Sequence, residues 1–513
     1  MLTQSFRFSN INTFLFVEAT LLSLTLIGAA FIGFDISDEG LYAFLADPLQ
    51  PNPQAVFNYD LFFKLIFSLT ELKFSLIQLR LLRLLGYLIA AWSLALFFKN
   101  YFAHKKASWQ IFSFIFIGIC LGYAFLPQTL SYNSLNVTLS CVWLAVLSIP
   151  IKKSFQYLLI GVSLALIFYV KFPTAILLFG ITYITLFYLE SVSWKWMLML
   201  LPLLLFELLF WTLFQENAVL RLSETLGNQL ERPQYNLLDL MKSPLVGIFW
   251  LGISSIGFYL LKLLDNKSKL KPFLVILSCL IFISVVYLTH ITQEWNHLFL
   301  LTLFLFVVHR LNNSFGEISS AQLPWVLILT FLPFILHFGS NVYWLRIGIH
   351  YSVFWLLLVA ILSKRRNQIL LGLSIFSFFW IINGLVFQPF EQSPLFESKR
   401  YWKIPGNSGL FLDSSLVEIL EKLKVELDGE DNVQAFFRNP GLAYLLGKNI
   451  PGQAMVWDPS QLNTLINFEK GYPVIFCPSE FSDPILELQS MKKTYIDSYQ
   501  SRPIYIFQKQ SQN

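Results

Sequence analysis

Residues 12–42 read NTFLFVEATLLSLTLIGAAFIGFDISDEGLY. The first part of this stretch, 12–33, is an apolar run of the length a helix needs to cross a hydrocarbon core of roughly 30 Å. It ends abruptly in three carboxylates within five positions, Asp35, Asp38 and Glu39. Similar apolar runs recur through the first three-quarters of the chain. Of the 513 residues, 56% are hydrophobic and only 13% are charged, and mean hydropathy is +0.60. Soluble domains carry roughly 25% charged residues, so these values fit a polytopic α-helical membrane protein. The net charge of +5 is too small for a nucleic-acid binder.

Thirteen spans are expected, at about 12–33, 83–98, 110–126, 134–150, 155–170, 174–189, 197–214, 244–261, 273–290, 297–309, 323–339, 347–362 and 369–387. Loops after even-numbered spans carry the basic clusters: Lys99, Lys105 and Lys106; Lys152 and Lys153; Lys262, Lys267, Lys269 and Lys271; Lys364, Arg365 and Arg366. The positive-inside rule makes these loops and the N-terminus cytoplasmic. An odd number of spans then puts the C-terminus outside, in the periplasm if the membrane is a bacterial inner membrane.

The charge distribution divides the chain at about residue 388. Residues 389–513 hold 27 of its 67 charges and read as a separate water-soluble domain, whereas 1–388 read as membrane. Leu416, Ile419, Leu420, Leu423 and Leu427 have helical spacing, and 433–437, 474–477 and 504–507 read as short strands, so the tail is a small α/β domain. Two outer loops are long. In 34–82 the apolar pieces 41–45 and 61–67 are too short to span and suit helices lying on the membrane surface. In the other, Glu216, Arg221, Glu224, Glu231 and Arg232 suit a solvated amphipathic surface. Cys120, Cys141 and Cys279 fall in apolar runs and leave Cys477 alone in the tail, so no disulfide framework is expected.

Chemistry concentrates at Gly33-Phe34-Asp35-Ile36-Ser37-Asp38-Glu39-Gly40-Leu41-Tyr42. Carboxylates where a helix leaves lipid are costly unless they face water, a metal or a positively charged substrate. One reading is a solvated helix end with Asp38 as N-cap. The other is a general base, or a carboxylate sharing a divalent cation with a phosphate leaving group.

An Asp-Glu pair followed after two residues by Tyr, in the first outer loop of a protein with about thirteen spans and an outer C-terminal domain, resembles the GT-C glycosyltransferases. The nearest groups are the protein O-mannosyltransferase-like, aminoarabinose-transferase-like and RgtA/B/C/D-like enzymes. The resemblance covers roughly 1–390. It implies a polyprenyl-phosphate sugar donor, a glycan, lipid or protein acceptor outside the cytoplasm, and an inverting transfer whose base is an acidic residue of this loop. The matching position is Asp38, with Glu39 beside it and Asp35 an additional acid. Phe168-Tyr169-Val170-Lys171-Phe172-Pro173 is similar to the Thr-Lys-Gly-Pro stretch of these families, with Val170 and Phe172 departing from it.

Lys171 is thereby implied as a donor-phosphate ligand; it reads equally as a snorkelling interfacial lysine. Arg83, with Arg80 nearby, and Arg346 lie where these families often carry an arginine, and guanidinium forks suit a leaving phosphate. Interfacial anchoring is the alternative. Possible substrate contacts are Tyr42, Tyr132, Asn133, His290, Glu294 and His350. His290, Glu294 and His297 would share one face of a continuous helix, but they occupy an expected turn, which favours a structural or substrate-contacting role over a zinc site. No nucleotide is required, and the one cofactor left open is a divalent metal ion. A lipid-linked sugar flippase is the main non-enzyme alternative; it would be expected to carry ionisable groups near mid-span, of which Glu207 is the exception present here. A polysaccharide polymerase or ligase would place its usual active-site loop late in the chain.

Overall fold

The computed structural model describes residues 8–52, 57–102, 109–230, 237–262, 271–292, 295–363, 366–436, 438–456, 471–476, 488 and 491–509. Each of the thirteen expected segments coincides with helix. These helices are α1 (Phe8–Ala29), α4 (Leu76–Tyr101), α5 (Trp109–Cys120), α6 (Tyr132–Ser148), α7 (Lys153–Val170), α8 (Phe172–Leu189), α9 (Leu201–Phe214), α11 (Leu237–Lys262), α12 (Lys271–Thr292), α13 (Asn296–Ser314), α14 (Leu323–His337), the pair α15 (Trp344–Ile347) and α16 (Val353–Ile361), and α17 (Arg366–Ile382). Among the described residues, eight helical segments are long and apolar enough to cross a membrane by length and composition, or nine if the pair around Ser352, bent by 59°, is one span.

The short helices α2 (Asp38–Leu45) and α3 (Asp60–Thr70) occupy the first long loop, and α10 (Ala218–Leu230) the second. The two apolar pieces of the first loop are therefore helical, but α2 has no free face: every residue from Glu39 to Leu45 is buried. The C-terminal part of the chain covers it.

That part comprises the antiparallel hairpin β1 (Arg400–Lys403) and β2 (Gly409–Leu412), then α18 (Ser414–Glu426), β3 (Gln434–Ala435), α19 (Pro440–Leu445), β4 (Val474–Phe476), β5 (Lys492–Tyr499) and β6 (Arg502–Gln508). Its four-stranded sheet has the order β3-β4-β6-β5, with β3 and β4 parallel and the other neighbours antiparallel. Asp413 caps α18 by accepting from the Leu416 N–H at 3.0 Å, and Leu416, Ile419, Leu420 and Leu423 pack inward beneath the sheet. The expected helix and three strands are present; the hairpin, β5 and α19 lack a long alternating apolar run and are additions.

Backbone contacts fix the tail on the loop that follows α1. The Gly33 N–H donates to Phe411 O at 2.8 Å, the Phe411 N–H to Phe31 O at 3.0 Å, and the Gly441 N–H to Ile36 O at 2.8 Å. A Cβ added to Gly40 would lie 2.2 Å from Gly441 N, so α2 and α19 touch backbone to backbone where neither can carry a side chain. The acidic loop and the tail thus share one face of the molecule.

Candidate active site

The three carboxylates of the loop meet three different fates. Asp35 is fully buried, and its two oxygens accept the N–H groups of Ser37 at 2.9 Å and Glu39 at 3.0 Å, so it ties off the first turn of α2. Glu39 is also fully buried. Its Oε2 accepts the Asp35 N–H at 3.2 Å, and both oxygens accept the fork of Arg80, Nε to Oε1 and Nη2 to Oε2, each at 2.8 Å. Arg80 spends its remaining donors on the carbonyls of Ala30, Ile32 and Gly33, at 2.9, 3.2 and 2.7 Å. It therefore clamps the end of α1 and the start of α2 onto α4. Both acids expected to share in catalysis are committed to holding the loop in shape.

Asp38 is the exception. It is partly buried at the start of α2, and among the described residues its carboxylate has no hydrogen-bond or ion-pair partner. It is not an N-cap either, since Ser37 occupies that position and makes no side-chain cap bond. Burial pushes the Asp38 carboxyl up to about 6, opposed by Arg438 and assisted by Glu391, both from the tail. Burial and the charge of Asp38 also raise Asp35 well above the carboxylate range. An acid with its proton affinity raised to this degree and an open lone pair can accept a proton near neutral pH.

One turn on, Tyr42 lies on the same side of α2 as Asp38. Burial, with Asp38 adding to it, holds its phenol well above the ordinary value, so it stays a neutral donor. Its ring meets Tyr132 edge-on at 6.3 Å, and the Lys171 ammonium stands 6.0 Å from the Tyr132 ring centre. Tyr132 is placed by a capping box in which Ser131 and Ser134 satisfy each other's N–H at the start of α6. Asn133, fully buried beside it, accepts from Tyr351 Oη at 2.9 Å. Asp38, Tyr42, Tyr132 and Lys171, drawn from α2, α6 and the α7–α8 joint, are thus successive neighbours.

Lys171 separates α7 from α8 and is 5% exposed. Its Nζ donates to Leu336 O at 2.6 Å and His337 O at 3.1 Å, carbonyls of the last turn of α14. Asn136 and Thr174 donate to the same Leu336 oxygen. Burial lowers the ammonium to about 7. Lys171 is thus a buried helix cap with a third N–H to spare, not the snorkelling lysine of the alternative reading.

The arginines separate as well. Arg83 is 1% exposed and does not present a fork to a phosphate. Its donors go to Gly122 O at 2.7 Å, Pro127 O and Tyr87 Oη, and its plane lies over the Tyr123 ring at 4.0 Å. His350 is buried against the same cluster, with Nδ1 facing Gly122. Arg346 is part-exposed on α15 and lies over the Phe125 ring at 5.6 Å. His290 is exposed at the end of α12, Glu294 lies outside the described residues, and His297 is buried on the first turn of α13.

Arg221, expected on a solvated surface, is instead 1% exposed. It donates to both Asp60 oxygens at 2.8 and 3.0 Å and also bonds Glu216, which pairs with Lys64 at 3.2 Å. This network ties α10 to α3; Glu231 and Arg232 lie outside the described residues. Glu207 accepts from Tyr169 Oη at 2.8 Å and from the Val219 N–H at 3.2 Å, so the ionisable group in α9 is bound within the protein.

No group of three or more His, Cys, Asp or Glu side chains that could hold a metal occurs among the described residues. With Asp35 and Glu39 committed to backbone N–H groups and Arg80, the loop itself offers a divalent ion the Asp38 carboxylate, on which Glu391 of the tail also acts.

No protein-family model matches the chain, and no curated protein sequence does. Among solved structures it is similar to ArnT from Cupriavidus metallidurans bound to undecaprenyl phosphate, with 13% identity and a TM-score of 0.41 over 96% of this chain and 97% of that chain. It is similar also to the apo form of the same protein, with 12% identity and a TM-score of 0.40 over 96% and 98%.

Proposed function

We propose that this chain is a GT-C-type membrane glycosyltransferase that moves a sugar from a polyprenyl-phosphate donor to an acceptor on the extracytoplasmic side, with Asp38 as base. The observation that carries this reading is the sorting of the acidic loop: two of three carboxylates are consumed in building it, and the third is left partly buried, without a hydrogen-bond or ion-pair partner among the described residues and raised to about 6. A purely structural helix end has no need of such a group, which the fold holds in place at the cost of desolvating it.

In the mechanism that follows, Asp38 takes the proton of an acceptor hydroxyl as that oxygen attacks the anomeric carbon. The bond from that carbon to the phosphate oxygen breaks, and the lipid phosphate leaves with the electron pair. Attack from the opposite side inverts the anomeric configuration. Tyr42 and Tyr132 line the way from Asp38 to Lys171, whose spare N–H is suited to the phosphate as its charge grows. Arg346, part-exposed on the outer side, is a better second phosphate ligand than the buried Arg83. The thirteen helices are all spans in this reading, the N-terminus is cytoplasmic and the tail is outside.

The test is donor consumption. Membranes containing the chain, given a polyprenyl-phosphate donor labelled in the sugar together with cell-envelope acceptor fractions, should release unlabelled polyprenyl phosphate and a labelled acceptor. Labelled donor that crosses the bilayer intact would establish a flippase instead.

A further inference from the structure

The β1–β2 hairpin carries a feature that catalysis does not use. Its two strands alternate strictly. Leu410, Leu412 and Trp402 face the core of the tail, while Tyr401 and Phe411, paired across the strands, face outward at 60% and 44% exposure. The two rings meet edge-on at 5.7 Å, and the Tyr401 hydroxyl lies over Gly409, where an added Cβ would sit 2.2 Å away. A water-facing strand pair would be expected to put polar groups at these positions.

The hairpin is joined to the end of α1. Two backbone hydrogen bonds, one to Phe31 O and one from the Gly33 N–H, pair Phe411 with Ile32 in a parallel bridge, one residue past Phe31, itself 42% exposed. Phe31 is the last member of an exposed apolar stripe, Phe14, Val17, Leu21, Leu24 and Ile27, that runs up α1 at helical spacing and meets lipid if α1 spans. The hairpin therefore adjoins the lipid-facing surface of a spanning helix at the level where that helix ends. Lys403 and Lys399 are exposed along the same edge, at the two-residue spacing of Tyr401. Aromatic rings flanked by lysines are the composition of the membrane–water boundary.

We infer that the β1–β2 hairpin is a membrane-interface wedge, its Tyr401 and Phe411 rings seated among lipid headgroups and upper acyl chains and its lysines directed to anionic phosphates. The occupant of this face is the bilayer, not a second protein. The consequence is mechanical: the tail is held to the membrane at one edge and to the Asp38 loop by Gly441, so the loop stays at a fixed depth.

The test is photo-crosslinking of the full chain in proteoliposomes of phosphatidylethanolamine and phosphatidylglycerol, with p-benzoylphenylalanine replacing Phe411, Tyr401 or, as reference, Val425. Val425 is 76% exposed on α18, which packs on the core face of the hairpin. Lipid adducts detected by mass spectrometry at 411 or 401, at least five-fold above those at 425, are expected. The two sites are separate variants, so a folding failure of one leaves the other. Equal adduct yields at all three sites, or a crosslinked dimer in place of lipid adducts, would overturn the inference. The readout requires no transferase activity, so it stands or falls apart from the proposed reaction.

Discussion

Replacing Arg80 by Met tests the assignment of Glu39 to structure. In the native chain all five guanidinium N–H groups are engaged, two by Glu39 and three by the carbonyls of Ala30, Ile32 and Gly33, with both side chains at most 2% exposed. Methionine fills much of the space and supplies no donor. It leaves a carboxylate buried with only the Asp35 N–H and takes a donor from three carbonyls, of which Ile32 O keeps Gln128 Nε2 at 3.3 Å. Removing one member of a buried pair costs about 3–5 kcal/mol, a population change of roughly a hundred- to several thousand-fold. Adding Glu39→Met removes the stranded charge, so the double variant should regain a large part of that loss although it carries more substitutions. Equilibrium unfolding of the purified protein in SDS-titrated bicelles, followed by tryptophan fluorescence, measures the two variants against wild type. An Arg80→Met protein of wild-type stability, or a double variant less stable than the single one, would refute the view that Arg80 and Glu39 form a self-contained clamp.

Three further outcomes are expected. The rate of transfer, measured as kcat/KM against pH, should be bell-shaped: Asp38 loses its base form as pH falls through about 6, higher than an ordinary carboxylate, and Lys171 loses its charge as pH rises through about 7. An acid limb near 4 would remove Asp38 from the base role. Lys171→Met should lower transfer at limiting donor by at least ten-fold while the protein remains inserted, since a charge-assisted contact to phosphate is lost; unchanged transfer would leave Lys171 as the cap of α14 only. A reporter active only in the cytoplasm, fused after Asn513, should stay inactive, and its activity would reverse the topology.

Much of the fold was legible because apolar run length and helical spacing are local. All thirteen expected segments are helix, and α18 is where Leu416 to Leu427 put it. The roles of the charged residues were not legible in the same way. Arg80 and Arg83 sit one turn apart in α4 and look alike in sequence, yet one holds Glu39, 41 residues away, while the other holds the carbonyls of Gly122 and Pro127. Which partner each meets is decided by helix packing, to which local pattern is blind. Arg221 shows the same limit: its helix, α10, is amphipathic, but the arginine points at Asp60, 161 residues earlier. Asp38 and Lys171 were singled out by motif. Tyr132 as the link between them needed the fold, because α2, α6 and the α7–α8 joint converge only in three dimensions.

The sharpest test of Asp38 as base compares Asp38→Asn, Asp35→Asn and Glu39→Gln for transfer of labelled sugar from a polyprenyl-phosphate donor, at matched levels of inserted protein. An amide in place of the Asp38 carboxylate keeps size and polarity but loses basicity, so Asp38→Asn should lower turnover by roughly a hundred- to ten-thousand-fold with stability unchanged. Asp35→Asn and Glu39→Gln should instead lose stability, each leaving turnover per folded molecule within several-fold of wild type. Near-normal turnover in Asp38→Asn, with the loss falling on Asp35 or Glu39, would contradict the account.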